Sequence, residues 1–184
     1  FTQGELFLGN GNDGEIVKVS SDGKVVTNPW VSLPGDNNGI FRGSLFHDNT
    51  GVFNGDLIAV TTNGEVWRIN SLGQPTYLAG LGTHLEGLAV IPNQERYGPL
   101  AGKILIGAEQ QGIVYAVGTD GKVQAYNTDV NVEDIDIVVP GYDFYGVDYA
   151  NGRVLHASSS SFSGLEGEIL AVSEGIGYSR SGLY

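Results

Sequence analysis

The chain of 184 residues has the length of one domain or one compact repeat array, and its 41% apolar content is enough to build a core. Its net charge of -12, from 21 acidic against 9 basic residues, excludes a surface that attracts nucleic-acid phosphates or anionic membranes and suits a cation-rich setting or a cationic partner. No cysteine is present, so disulfides and thiolate metal sites are excluded, and no apolar run approaches the ~18 residues of a membrane-spanning helix. There are 29 glycines but only 6 prolines, a balance that predicts many tight turns between short strands. The chain opens at Phe1 without a basic and apolar leader and contains no methionine. These features predict a processed chain with an extracellular or periplasmic location.

In chain order, Gly4-Glu-Leu-Phe-Leu-Gly9 reads as the first strand. The oxygen-rich segment Asn10-Gly11-Asn12-Asp13-Gly14-Glu15 follows; it misses the EF-hand spacing and reads as a turn. Gly14-Glu-Ile-Val-Lys-Val-Ser-Ser-Asp-Gly23 is the second strand, closed by an Asp-Gly hairpin signal into Val25-Val26. Gly35-Asp36-Asn37-Asn38-Gly39 is another turn. Strands then follow at Arg42-Gly43-Ser44-Leu45-Phe46, Gly55-Asp-Leu-Ile-Ala-Val60 and Gly64-Glu-Val-Trp-Arg-Ile-Asn-Ser-Leu-Gly73. The next trio is Glu86-Gly87-Leu88-Ala89-Val90, Gly102-Lys-Ile-Leu-Ile-Gly107 and Gly112-Ile-Val-Tyr-Ala-Val-Gly-Thr-Asp-Gly121. The last is Asp134-Ile135-Asp136-Ile137-Val138, Gly152-Arg-Val-Leu-His-Ala157 and Gly167-Glu-Ile-Leu-Ala-Val-Ser-Glu-Gly175.

These runs repeat. The leading glycines Gly14, Gly64, Gly112 and Gly167 are spaced by 50, 48 and 55 residues. Each repeat is a meander of about four strands over ~45–50 residues, which is the size of a propeller blade. A β-sandwich has short strands too but no reason to repeat glycines at this period. The expected fold is therefore all-β: one β-propeller domain over residues 1–184, or part of a larger propeller, with about four antiparallel four-stranded units at 1–38, 39–81, 82–129 and 130–184. The expected core is Leu6, Leu8, Ile16, Val19, Leu45, Leu57, Ile58, Val66, Ile69, Leu88, Val90, Ile104, Ile106, Val114, Val117, Ile135, Ile137, Val147, Leu155, Ile169 and Val172.

The succession Glu86-Gly87-Leu88-Ala89-Val90, Gly102-Lys-Ile-Leu-Ile-Gly-Ala-Glu109, Gly112-Ile-Val-Tyr-Ala-Val117 and Asp120-Gly121 resembles a blade of the gluconolactonase-like, NHL-repeat and virginiamycin-lyase-like propellers. The resemblance spans most of the chain at the level of blades. It implies a propeller. It also implies a divalent metal, calcium or magnesium, at Glu86-Gly87, with histidine in the lyase-like members. The companion Asn and Asp contexts of the gluconolactonase-like metal site are absent here.

Arg42, Glu86 and Asp134 occupy one equivalent position, the start of the strand that lines a propeller channel, and form the candidate ligand site with His84. Glu86, Asp134 and Asp136 are the candidate metal ligands, Asp134 and Asp136 sharing one face of a strand through its period of two. The alternative reading of these charges is a salt-bridged channel lining. Ser158-Ser159-Ser160-Ser161 lacks a Gly-x-Ser-x-Gly context, so serine-nucleophile chemistry finds no support, and no phosphate-binding glycine motif occurs. The leading expectation is a non-enzymatic binding or assembly module with a protein or carbohydrate partner, self-assembling through strand pairing at its ends. In that reading the tail Gly177–Tyr184 supplies a strand. The rival is a metal-dependent lactonase, esterase or lyase.

Overall fold

The computed structural model describes residues 1–42, 44–148, 151–173 and 182–184. Sixteen β-strands account for its regular structure, interrupted by short 3₁₀ turns, and no α-helix occurs among the described residues. The chain divides into two compact units: unit 1, Phe1–Ile135 with Ala171–Tyr184, and unit 2, Asp136–Leu170.

Unit 1 holds three antiparallel sheets that follow one another along the chain. The first is β1 (Leu6–Gly9), β2 (Glu15–Val19) and β3 (Val26–Ser32). The second is β4 (Leu45–His47), β5 (Leu57–Val60), β6 (Glu65–Ile69) and β7 (Pro75–Gly80). The third is β8 (Glu86–Val90), β9 (Ile104–Ala108), β10 (Ile113–Val117) and β11 (Val123–Asn127). In each, every strand pairs with its neighbour in sequence, the meander of a propeller blade. The leading glycines of the repeat explain its period. Gly14, Gly64, Gly112 and Gly167 have φ of 59°, 90°, 62° and 82°, a left-handed turn that glycine adopts without steric cost.

Apolar side chains on both faces of the inner strands build the core. β5, β8 and β9 are buried along their whole length. One cluster joins Phe53, Ile58, Val60 and Val66 to Leu85, Leu88, Val90, Ile104 and Ile106, so the second and third sheets share a core. A second cluster joins Ile16, Val31 and Phe41 to Leu57, Trp67 and Ile69 between the first and second. Full burial of each such side chain contributes about 1.5–3 kcal/mol.

Unit 1 also takes in the end of the chain. In β15 (Ile169–Ser173), Val172 and Ser173 pair with Leu183 and Gly182 of β16 (Gly182–Leu183). Ala171 and Tyr184 exchange backbone hydrogen bonds of 2.9 and 3.0 Å. The expected tail strand is thus present over its last residues and pairs within its own repeat, while 177–181 lie outside the described residues.

β12 (Val132–Ile137) begins in unit 1 and finishes in unit 2. In unit 2, β13 (Phe144–Asp148) and β14 (Arg153–Ala157) form a two-stranded hairpin of their own. Its Phe144 and Ala157 pack on a small core of Val138, Phe162 and Leu170.

Two expectations change. The strand that comes alongside the end of β12 is the run opening at Gly167, not the one opening at Gly152. Val138 N–H donates to Glu168 O at 3.0 Å and Gly167 N–H to Val138 O at 2.8 Å. The Gly152 run is the second arm of an inserted hairpin, which leaves Val147 and Leu155 exposed at 76% and 52%. Leu6 and Leu8 are also exposed, because β1 is an edge strand that pairs with β2 alone among the described residues. Of the remaining expected core, Ile16, Leu57, Ile58, Val66, Ile69, Leu88, Val90, Ile104, Ile106, Val117 and Ile135 are buried.

Candidate cation-binding site

Glu86 opens β8 directly after the fully buried Leu85, and this anchors its carboxylate in the interior. Its register with β9 contains a bulge: Glu86 faces Gly107 and Leu88 faces Ile106, with Gly87 between. A Cβ on Gly87 would lie 2.3 Å from Asp134 Cα and 2.4 Å from Glu133 O. A Cβ on Gly107 would lie 2.5 Å from Val132 O. Only glycine fits at either place, and the two together let residues 132–134 of β12 close against β8 and β9. That approach carries Glu133 to Glu86.

Glu109 arrives by a different route. It follows β9 in a 3₁₀ turn, Glu109–Gln111, that ends at Gly112 in the left-handed conformation. Its backbone carbonyl accepts a 2.5 Å hydrogen bond from Asn131 Nδ2, which ties the turn to the entry of β12. One carboxylate oxygen from each of Glu86, Glu109 and Glu133 lies within 4.8 Å of the others. Glu86 and Glu109 are buried, at 3% and 8% exposure. Two like charges ~4 Å apart repel by about 4 kcal/mol at an effective dielectric constant of ~20, so three ionised carboxylates at this spacing call for a counter-charge.

Among the described residues, Arg42 and His84 both reach Glu86. Arg42 Nη1 lies 3.2 Å and His84 Nε2 2.7 Å from the same oxygen, Glu86 Oε1. Arg42 is more than half exposed. A cavity of about 370 Å³ opens beside the pair, lined by Arg42, Glu86, Glu133 and Asp134. The donor set is all-carboxylate, hard oxygen chemistry that fits calcium or magnesium.

The structure therefore brings Arg42, Glu86 and Asp134 to one cavity and puts His84 in contact with Glu86. The close carboxylates are a different set from the expected Glu86, Asp134 and Asp136. Asp134 lines the cavity but stands outside the triad, its Oδ1 accepting the Ile135 N–H at 2.9 Å. Asp136 belongs to unit 2; it is an exposed residue whose carboxyl is raised from its ordinary value by partial desolvation. Sequence reasoning missed Glu109 and gave Glu133 no role of its own. The Asn10–Glu15 segment is a turn whose oxygens are used internally: Glu15 accepts from Asn10 and Asn12, and Asp13 from the backbone of Asn38 and Gly39.

Repeated antiparallel meanders, with charges gathered at the inner strands, define a β-propeller. Two solved structures share the fold, both of virginiamycin B lyase from Staphylococcus aureus. The selenomethionine-substituted enzyme matches with a TM-score of 0.55 at 15% identity. A catalytically inactive variant with quinupristin matches with a TM-score of 0.56 at 16% identity. Each match covers 94% of this chain and 53% of the other, so the chain spans about half the length of these structures. No family model and no curated protein matches the sequence.

Proposed function

We propose that this chain is a propeller binding module whose ligand site is the acidic cavity at its inner strands, and that Glu86, Glu109 and Glu133 hold a divalent cation, calcium or magnesium. The observation that carries this reading is the mutual 4.8 Å approach of the three carboxylates. The cation relieves their repulsion and displaces Arg42, whose exposed side chain is free to turn into solvent. An extracytoplasmic setting, where calcium is abundant, and a protein or carbohydrate partner at the surface agree with the net charge of -12. Thermal melting with calcium, magnesium and manganese tests the proposal. At a hundredfold excess over the dissociation constant, a native-state ligand adds ~2.7 kcal/mol. That is a rise of roughly 5–10 °C for a chain of this size. No rise with any of the three defeats the reading.

A second reading is a metal-dependent lactonase, esterase or lyase. It is favoured by the 2.7 Å contact of His84 Nε2 with Glu86 Oε1, which sets an acid–base group beside the same carboxylate. The lyase activity of the structural neighbour points the same way. Turnover of lactones, aryl esters or quinupristin that is lost in His84→Gln, while cation binding survives, would establish it. Absence of turnover in the cation-loaded protein leaves the binding module.

A further inference from the structure

We infer that the second and third sheets carry a second ligand site, at the end away from Glu86, and that it takes a neutral saccharide unit. β8 runs from Glu86 to Val90 and β9 returns from Ile104 to Ala108, so Glu86 and Glu109 lie at one end of this strand pair. Asn93 and Gly102 lie beyond the other end, with a strand of five residues, roughly 17 Å, between. There a cavity of about 420 Å³ opens. One wall is residues 50–52 of the loop between β4 and β5. The other is Asn93, Ala101 and Gly102 of the loop between β8 and β9, with Thr119 from the turn between β10 and β11. All of it belongs to unit 1 and to two complete four-stranded sheets.

The walls are fixed by bonds within the protein. Asp48 holds the first, its Oδ1 accepting from Thr50 N at 2.9 Å and Thr50 Oγ1 at 2.6 Å, and Val52 N–H donates to Thr50 Oγ1 at 3.2 Å. The loop of Asn93 and Gly102 is closed at its base by Ile91 N–H donating to Lys103 O at 2.8 Å, and Ala101 N–H donates to Gly98 O at 3.2 Å. The turn that carries Thr119 is closed by Gly121 N–H to Gly118 O at 3.0 Å and by Gly118 N–H to Lys122 O at 2.9 Å. Loops pinned to a packed scaffold in this way bind a ligand with little ordering cost.

The lining selects the chemistry. The acidic cavity is lined by four charged residues and this one by none. A charged ligand brought out of water here would meet no counter-charge. A purely apolar ligand would desolvate the side chains of Thr50, Asn93 and Thr119 without replacing their bonds to water. A neutral ligand with several hydroxyl groups satisfies both limits. Among the described residues, the Asn93 carboxamide and the Thr119 hydroxyl make no hydrogen bond to the protein, and together they offer donors and acceptors. A Cβ on Gly102 would lie 3.5 Å from Asn93 Cγ, so the missing side chain leaves the carboxamide uncovered. Val52 and Ala101 supply apolar surface for the C–H face of a sugar ring. The volume falls within the roughly 300–1,000 Å³ of small-molecule sites. An extended peptide finds no strand edge among these loops to pair with.

The test titrates the isotope-labelled chain with the methyl glycosides of glucose, mannose, galactose and N-acetylglucosamine, in calcium and again in chelator, and reads backbone amide resonances. At least one glycoside is expected to give saturable shifts at residues 50–52, Asn93, Ala101, Gly102 and Thr119, unchanged by chelator, while Gly87 and Gly107 stay in place. Asn93→Ala, at an exposed position, keeps the melting temperature and weakens binding about tenfold through the lost hydrogen bonds. The inference is overturned by no saturable shift at these amides with any of the glycosides, or by equal affinity in Asn93→Ala. Glucuronate binding as tightly as methyl glucoside, or triglycinamide binding where the glycosides do not, overturns it too. So does a response that disappears in chelator, because the sugar would then sit at the cation of the acidic cavity. Chelator removes that cation and leaves this site intact, so failure here and failure of the cation reading are told apart.

Discussion

The Cβ that Gly87 lacks would stand 2.3 Å from the Cα of Asp134. This contact is between two backbones, so no rotamer change relieves it. It brings Glu133 and Asp134 beside Glu86, and the acidic cavity depends on it. Gly87→Ala is therefore expected to push β12 from β8. Overpacking of this kind costs about 1–3 kcal/mol, and the strain here falls at the upper end. Urea unfolding checks the stability, and calcium titration should show weakened binding. A variant with native stability and native affinity would mean that the close approach is not needed.

Arg42 and an incoming cation compete for Glu86 Oε1. Arg42→Ala is expected to raise calcium affinity several-fold. Without calcium the variant should lose some stability, because Arg42 is more than half exposed but its partner Glu86 is buried and loses a counter-charge. Calorimetric titration reads both the affinity and its dependence on salt. Weaker binding in the variant would instead make Arg42 a supporting residue of the site.

Asp48 ties down the loop between β4 and β5. Its Oδ1 accepts from Thr50 N (2.9 Å) and Thr50 Oγ1 (2.6 Å), and its Oδ2 from Phe53 N (2.6 Å) and Gly55 N (3.2 Å). Burial alone would raise this carboxyl, but the four hydrogen bonds outweigh it and hold the group below the usual carboxylate value. A lowered folded value means stabilisation that is present above the unfolded value and lost as pH falls through the folded one. Melting temperature should fall as pH drops below the ordinary carboxylate range, and Asp48→Asn should flatten part of that slope while costing about 1–3 kcal/mol near neutrality. An unchanged pH profile in Asp48→Asn would remove Asp48 from the account.

Much of the architecture was legible because glycine marks it. The φ > 0 turns at Gly14, Gly64 and Gly112 recur at a blade's length, and the apolar runs between them pair in the order they occur. The fourth repeat was misread because two strand classes both open with glycine and an apolar run. Gly152-Arg-Val-Leu and Gly167-Glu-Ile-Leu satisfy the same pattern, and only the longer 55-residue spacing hinted at an inserted hairpin. At the site, the repeat led to Arg42, Glu86 and Asp134, which line one cavity, although only Glu86 opens its strand: Arg42 precedes β4 and Asp134 lies within β12. The triad was not legible. Glu109 lies past the end of its strand in a 3₁₀ turn, where strand alternation says nothing. Glu133 reaches Glu86 through the bulge and backbone contact at Gly87, a tertiary effect that the alternation of Asp134 and Asp136 hides.

Calorimetric titration of calcium into the native chain and into Glu133→Gln tests the central claim most directly. Glu133 is a half-buried member of the triad, and glutamine keeps its size while removing one charge. The account predicts a single saturable site in the native chain and at least about a tenfold loss of affinity in the variant, equal to ~1.4 kcal/mol, with the variant melting no lower than the native chain in the absence of calcium. No saturable heat in the native chain, or equal affinity in the two proteins, would contradict it.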